Sequence, residues 1–380
     1  MTEEMFGTQR VGVADEWANA TRFPIDQLRA FAEQVYQAVG LSAPRAATAA
    51  DSTLVADLRG IDSHGLARLP YQANRLHDGL VDPDANLTVL RESAATLALD
   101  AHNGSGLVLA PEAMARCIAK AEEAGLCMTT VRASNHFGIA GYYALLAARK
   151  GLCGVAMTNS SPLVVPTFGA KPMLGSNPLA VAVPTGDGPP LVLDMSTSTV
   201  AWGKIEIYRR AGKPLPSGWA LDEHLLPTTD PAAARWLTPL GGDRETGGQK
   251  GYGLSIVVDI LCGPLASGVW SAHISGATGG RHVAGTGHTF MAWRIDAFRE
   301  PADFYADVQE LLSDLRGCPP AIGCEDTGVM IPGDPEAIAE ATNQRLGIPV
   351  KPRVLGELRD LATQLGIAFT LDQDRGTAIG

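Results

Sequence analysis

A chain of 380 residues, 46% of them hydrophobic, is long enough for a substantial core and two domains. Its formal net charge of −11 and lack of a basic run argue against a nucleic-acid partner, and no apolar stretch approaches the ~20 residues that span a bilayer. The acidic first 15 residues lack the apolar segment of a secretory signal. The six cysteines form no CxxC pair and read as buried free thiols of a reducing, cytoplasmic compartment. With no HExxH and no tight Cys/His/Asp cluster, no metal is expected.

Residues 1–22 read as an N-terminal arm. From Phe23 to Val39, Leu28, Phe31, Val35 and Val39 recur at helical spacing, and Gly40 stops the helix. Ser42 then precedes Pro44, a cap followed by an early helical proline, and Leu54, Val55 and Leu58 supply the apolar face of a second helix. Pro70 opens a third, through His77. After Asp82 the texture changes. Asn86–Leu99 alternates like strands, Ala110–Ala124 is a helix ending at Gly125, and Cys127–Val131 is a buried strand. A helix over 141–150 and strands over 154–158, 179–183 and 190–193 follow. Residues 253–265 are apolar enough to predict an internal helix. Thr289–Ile295 reads as a strand, and 304–315, 336–346 and 354–365 as helices. The expected organisation is a helical domain of residues 23–80 plus 336–380 and a mixed α/β cofactor-binding domain of 81–335.

Ser63-His64-Gly65-Leu66-Ala67-Arg68 carries the first chemistry. If the turn is helical, His64 and Arg68 share a face. Imidazole exchanges protons near neutral pH, and a guanidinium grips a carboxylate through two parallel bonds. The same residues also suit a helix end. Ser134-Asn135-His136-Phe137-Gly138 follows a predicted strand, where His136 reads as an acid, a cofactor contact or part of a polar turn. Ser160 lies after the next strand, in a run of small hydroxyl and amide side chains. Lys171 and the turn Gly175-Ser176-Asn177-Pro178 come after it. Asp194 ends an apolar strand, either capping a helix or stabilising a protonated histidine. Gly247-Gly248-Gln249-Lys250-Gly251 opens the apolar helix and is the best phosphate candidate by composition, although it also fits a plain flexible loop. There is no G-x-G-x-x-G between a strand and a helix, so a Rossmann fold has no fingerprint here.

These motifs, with Val165-Pro166, Asp194-Met195-Ser196-Thr197, Trp202-Gly203-Lys204, Lys250-Gly251-Tyr252-Gly253 and Ile331-Pro332-Gly333, occur in one order. Over roughly residues 25–350 the chain resembles the type-2 malate/L-lactate dehydrogenase family, whose relatives act on sulfolactate, ureidoglycolate, diketogulonate and cyclic imino acids. The resemblance implies a non-Rossmann mixed-sheet α/β fold binding NAD or NADP, a homodimer, and a small carboxylic-acid substrate. It implies a relay of Ser63, His64 and Asp194, with proton transfer at His64 or at His136. It implies substrate contacts from Arg68, Ser160, Lys171 and Arg281 or His282. Cofactor contacts are implied for His136, Gly138, Ser176, Asn177, Asp194, Met195, Ser196, Lys250, Gly251, Pro332 and Gly333. Rival readings are an imine reductase of cyclic imino acids, a non-catalytic dinucleotide-binding protein, and a hydrolase built on Ser63, His64 and Asp194.

Overall fold

The computed structural model describes residues 17, 19–275 and 285–371. Among the described residues the first strand is β1 (Thr21–Phe23), so the end of the expected arm is ordered structure and Phe23 lies in that strand rather than in a helix. Helix α1 (Ile25–Ala38) buries Leu28, Phe31 and Val35, the spacing that predicts it. Helix α2 (Ala43–Leu58) has proline in its first turn, a 3-10 turn follows at Leu66–Arg68, and α3 (Leu69–His77) again starts on proline.

Strands β2 (Thr88–Glu92) and β3 (Thr96–Asp100) lead to α4 (Gly106–Ala124), which starts a turn earlier than the sequence suggests and contains Pro111. The proline removes the N–H that would bond the Leu107 carbonyl. The hydroxyl of Ser52, on α2, donates to that carbonyl at 2.9 Å. The break in the ladder is thereby mended from another helix. Gly125, at φ +88°, ends α4 in a conformation that favours glycine.

Next come β4 (Leu126–Ser134), α5 (Ala140–Ala148), β5 (Leu152–Thr158), β6 (Leu179–Val183) and β7 (Leu191–Met195). A smaller lobe holds α6 (Trp202–Arg210) and three two-residue strands, β8 (Ala220–Leu221), β9 (Pro227–Thr228) and β10 (Trp236–Leu237), around Val164, Ile205 and Leu237. Neither α6 nor this sheet is signalled by periodicity, because the segments are too short to repeat. Helix α7 (Gly248–Cys262), β11 (Thr286–Arg294), α8 (Pro301–Arg316), α9 (Asp334–Leu346), β12 (Ile348–Val350) and α10 (Pro352–Leu365) complete the chain.

The main sheet has the order β2-β3-β4-β11-β5-β6-β7, and only β3–β4, joined across α4, is parallel. This is not the parallel doubly wound sheet that the missing glycine fingerprint would serve. Both β4 and β5 run antiparallel to β11, while β6 pairs antiparallel with β5 and β7. The C-terminal ends of β4, β5 and β7 therefore emerge at one edge. The segments beginning at Asn135, Asn159 and Ser196 leave the sheet together.

The terminal segments close on each other. β1 pairs with β12, and Leu358 and Leu361 of α10 share a continuous core with Leu28 and Phe31 of α1 and with Val131 and Phe290 of the sheet. Two expectations need correction. Helix α7 is not internal, since Val257 and Ile260 are about half exposed (51% and 50%); it buries one face against the sheet and presents the other to water. Of the six free cysteines, Cys318 and Cys324 are exposed, because both fall in the irregular segment after α8. Among the described residues, no helix is long and apolar enough to cross a membrane.

Candidate active site

A cavity of about 400 Å³ lies between the helical segments and the emerging edge of the sheet. Its walls are the end of α2 with the turn after it (Asp57–His64), the start of α5, the strand end Asp194–Ser196, the start of α6 and the inner face of α9. Residues around Trp17, Ser176 and Lys351 complete the wall, so segments remote in sequence meet here, and its volume suits a small-molecule ligand.

The turn after α2 brings Ser63 and His64 to the cavity. Ser63 Oγ and His64 Nδ1 are 2.9 Å apart. The His64 ring stacks on that of His136, centroids 5.7 Å apart and planes 17° from parallel. Burial lowers His64 to about 4, with the Arg68 charge pushing the same way and Asp62 opposing. Burial lowers His136 to about 3, reinforced by His64, Arg68 and His288. Both rings are therefore neutral near pH 7 and able to accept a proton.

His136 is held from behind. Its Nδ1 accepts the Gly138 N–H at 3.2 Å, and the next residue, Phe137, stacks on the fully buried His288 ring at 4.5 Å. His288 bridges the ends of β4 and β5, with Nε2 2.8 Å from Ser134 Oγ and Nδ1 2.9 Å from Thr158 Oγ1. Only the pairing of β11 between those strands reveals this residue.

Asp194 lines the cavity but does not complete the expected relay. Its Oδ2 accepts the Gly141 N–H at 2.8 Å in the first turn of α5, the helix-cap alternative, and it makes no hydrogen bond to His64. Burial raises it to about 6, the Gly141 bond opposes this, Glu336 on α9 adds to it and Arg59 counteracts it. Without the third member of a triad, the hydrolase reading loses its geometry.

Gly138, Ser176, Met195 and Ser196 also border the cavity. Asn177 is buried beneath it as a brace: its Oδ1 accepts the Ser160 N–H and the Ser271 hydroxyl, and its Nδ2 donates to Ser255. Ser160 Oγ accepts the Ser176 N–H at 3.1 Å, one layer behind the wall. Arg68 is exposed, outside the cavity wall, and its Nε donates to Ser63 O at 3.1 Å; it ties the turn together from outside. Lys171 is exposed and away from the cavity. The Pro332 carbonyl accepts the Val192 N–H, and Gly333, at φ +97°, starts α9, so this turn braces β7 rather than lining the cavity. Arg281 and His282 lie outside the described residues.

The glycine loop before α7 also departs from expectation. Its N–H groups are engaged by backbone, Gly247 with Arg244 O at 3.3 Å, Gly248 with Asp243 O at 2.6 Å and Lys250 with Gly247 O at 2.9 Å. Lys250 is exposed, and Gly251 is pressed against the Leu240 backbone. The glycines serve close backbone packing, and three of the loop's N–H groups are taken by backbone carbonyls.

Several wall residues were given no role by the sequence, Lys204 among them although its Trp202-Gly203-Lys204 motif was noted. Lys351 Nζ binds Asp62 Oδ2 at 2.5 Å and lies 4.2 Å above the Trp17 ring, pinning the turn that holds Ser63 and His64 to segments near both ends of the described chain. Arg59, with a side chain only 5% exposed, binds Glu340 of α9 at 2.6 Å. Lys204 is half-buried at the start of α6, its pKa lowered by burial and supported by Asp62. The available signal was a charged residue interrupting the apolar run of α2, as Asp57 and Arg59 do. Periodicity gave no partner for either.

The α/β architecture brings His64, stacked on His136, to a cleft beside the strand-end loops. Comparison with known proteins narrows the class. The sequence pattern of the family described as malate/L-lactate dehydrogenase matches residues 23–359. The chain is 39% identical over 360 residues to the malate dehydrogenase of Pyrococcus abyssi, covering 94% of this chain and 98% of that one. It is 31% identical over 312 residues to the ureidoglycolate dehydrogenase (NAD(+)) of Escherichia coli strain K12, covering 82% and 87%. Its fold matches the malate dehydrogenase structure from Pyrococcus horikoshii with a TM-score of 0.84 at 35% identity, over 92% and 97% of the two chains. It also matches delta1-piperideine-2-carboxylate reductase from Pseudomonas syringae with a TM-score of 0.80 at 29% identity, over 90% and 100%. The chain belongs to the malate/L-lactate dehydrogenase family and is an oxidoreductase.

Proposed function

We propose that the enzyme transfers a hydride between NAD or NADP and a small 2-hydroxy or 2-keto acid, with His64 moving the substrate proton. The observation that carries this reading is the neutral His64–His136 pair, with Ser63 on His64 Nδ1, beside the cleft. The cleft offers groups for a dinucleotide: Lys204 brings positive charge toward a pyrophosphate, Arg59 and Lys351 would do so by sharing or exchanging their Glu340 and Asp62 partners, and Ser176, Ser196 and Glu336 supply ribose-binding groups. The nicotinamide supplies the hydride chemistry when bound.

The chain's own residues handle the rest. In oxidation, neutral His64 accepts the hydroxyl proton. In reduction, a bound carboxylate beside the ring favours imidazolium, and His64 returns the proton. Ser63 holds the ring's orientation through Nδ1. Arg68 stands at the outer side of the turn, within reach of a carboxylate that enters past His64 only if its bond to Ser63 O lets go. A cyclic imino acid is the second substrate class, supported by the likeness to the Pseudomonas syringae reductase; the same proton donor would serve a C=N carbon.

Consumption of NADH and NADPH with oxaloacetate, pyruvate and delta1-piperideine-2-carboxylate separates the classes. Turnover of a keto acid supports the main reading, turnover of the imine alone supports the second, and tight coenzyme binding with no turnover on any of them overturns both.

A further inference from the structure

Asp57 sits in the last turn of α2, where a negative charge is disfavoured by the helix dipole, and is partly buried at the cavity wall. Its Oδ2 nonetheless accepts the Leu66 N–H at 2.7 Å. Leu66 is the first residue of the 3-10 turn Leu66–Arg68, and the capping position before it is Gly65, which has no side chain to offer. The capping oxygen therefore comes from another element, nine residues back in the chain. The fit also explains the glycine: a Cβ at Gly65 would overlap the Asp57 carboxyl. His64 is the residue immediately before this joint, and Asp57 borders the same cavity.

We propose that Asp57 is a positioning residue for His64: its carboxyl caps the turn that follows the histidine and fixes the imidazole at the cleft. This rests on the reading of His64 as the proton-transferring group. The charged groups around Asp57 are Asp62 on the turn, Lys351 after β12, Arg59 on its own helix with Glu340 opposite on α9, and His64 and Lys204 across the cavity. Burial dominates and raises Asp57 to about 8, with the Leu66 bond and Lys351 opposing and Asp62 contributing to the rise. At neutral pH the carboxyl is therefore mostly protonated, still accepting the Leu66 N–H. Above about 8 it adds a second negative charge to that of Asp62 beside the cleft, which disfavours an anionic substrate.

The test compares Asp57→Asn, which keeps an oxygen acceptor but cannot titrate, with Asp57→Ala, which removes the cap. The assay is NAD(P)⁺-dependent oxidation of L-malate or of the hydroxy acid that turns over best, followed across pH. Asp57→Ala is expected to lower kcat by about 10²-fold through misplacement of the ring, with the coenzyme KM unchanged. Asp57→Asn is expected to stay within about threefold of wild type at pH 7 and to lose the alkaline fall in kcat/KM near pH 8. A merely structural Asp57 would lower the thermal midpoint of both variants and leave kcat per folded enzyme and the pH profile unchanged; that result overturns the proposal. So does an Asp57→Asn profile that keeps the limb. If His64→Asn is as active as wild type, the reading of His64 fails. If His64→Asn is inactive and Asp57→Ala fully active, this inference alone fails.

Discussion

Two glycine-bearing turns present the same promise in the sequence and meet different fates. The turn at Ser63–Arg68 and the loop at Gly247–Gly251 each combine glycine, a cation and the start of a helix. In the first, Asp57 and Arg68 satisfy the backbone from outside and leave the Ser63–His64 pair facing a cavity. In the second, carbonyls of Asp243, Arg244 and Gly247 take the N–H groups of Gly248, Gly247 and Lys250, and the Leu240 backbone fills the space beside Gly251. A motif becomes a site where neighbouring structure satisfies its scaffold and leaves its reactive groups open. Composition cannot distinguish the two, because the satisfying groups come from elsewhere in the chain.

The largest test of this contrast is His64→Ala. It should lower kcat by ~10²–10⁴-fold with coenzyme binding preserved, the range for losing a positioned acid–base group. If His136→Ala is inactive while His64→Ala remains active, the proton-transfer role passes to His136. The matching change in the loop is Gly251→Ala. It should act on stability, by roughly 1–3 kcal/mol, because the new methyl meets backbone that cannot swing away. A thermal midpoint equal to wild type would show that the loop yields, and that its packing is looser than drawn.

Arg68→Lys comes next. The planar fork is lost, and substrate KM should rise by about tenfold if the guanidinium turns inward to a carboxylate. An unchanged KM would confine Arg68 to its bond with Ser63 O. A further effect is thermodynamic and is read on stability, not on turnover. Asp57 is raised to about 8 from an unfolded value near 3.8, so the folded state holds its proton longer. Its contribution to stability is fully present below 3.8 and is lost as pH rises through about 8. His64 is lowered to about 4 from 6.5, so its contribution is present above 6.5 and lost as pH falls through about 4. Between 6.5 and 8 the Asp57 term is the falling one of this pair. Chemical denaturation at several pH values should show that decline in wild type and its flattening in Asp57→Asn. An identical slope in both would remove Asp57 as its source.

Much of the scaffold was legible from local rules. The helices at Ile25–Ala38 and Ala43–Leu58 follow from apolar spacing and an early proline, and the strand at Leu179–Val183 falls where its alternation puts it. The ordered motifs were enough to suggest the family to which the chain belongs. They also located Ser63, His64, Gly138, Ser176, Asp194, Met195 and Ser196, all of which border the cleft. Asp194 was identified as a residue of interest, but its partner was not: the bond goes to Gly141, 53 positions away.

What the sequence determined by itself is what nearest neighbours determine: helical faces, turn residues, and the presence of a titratable ring on a glycine-hinged turn. Tertiary structure decided which of those groups remain available. It brought the ends of β4, β5 and β7 to one edge, set Lys351 and Trp17 against Asp62, and placed a capping carboxyl from α2 under Gly65. The physical reason is that a proton's affinity and a donor's availability depend on burial and on partners. Both are fixed only when segments hundreds of residues apart close on the same cavity.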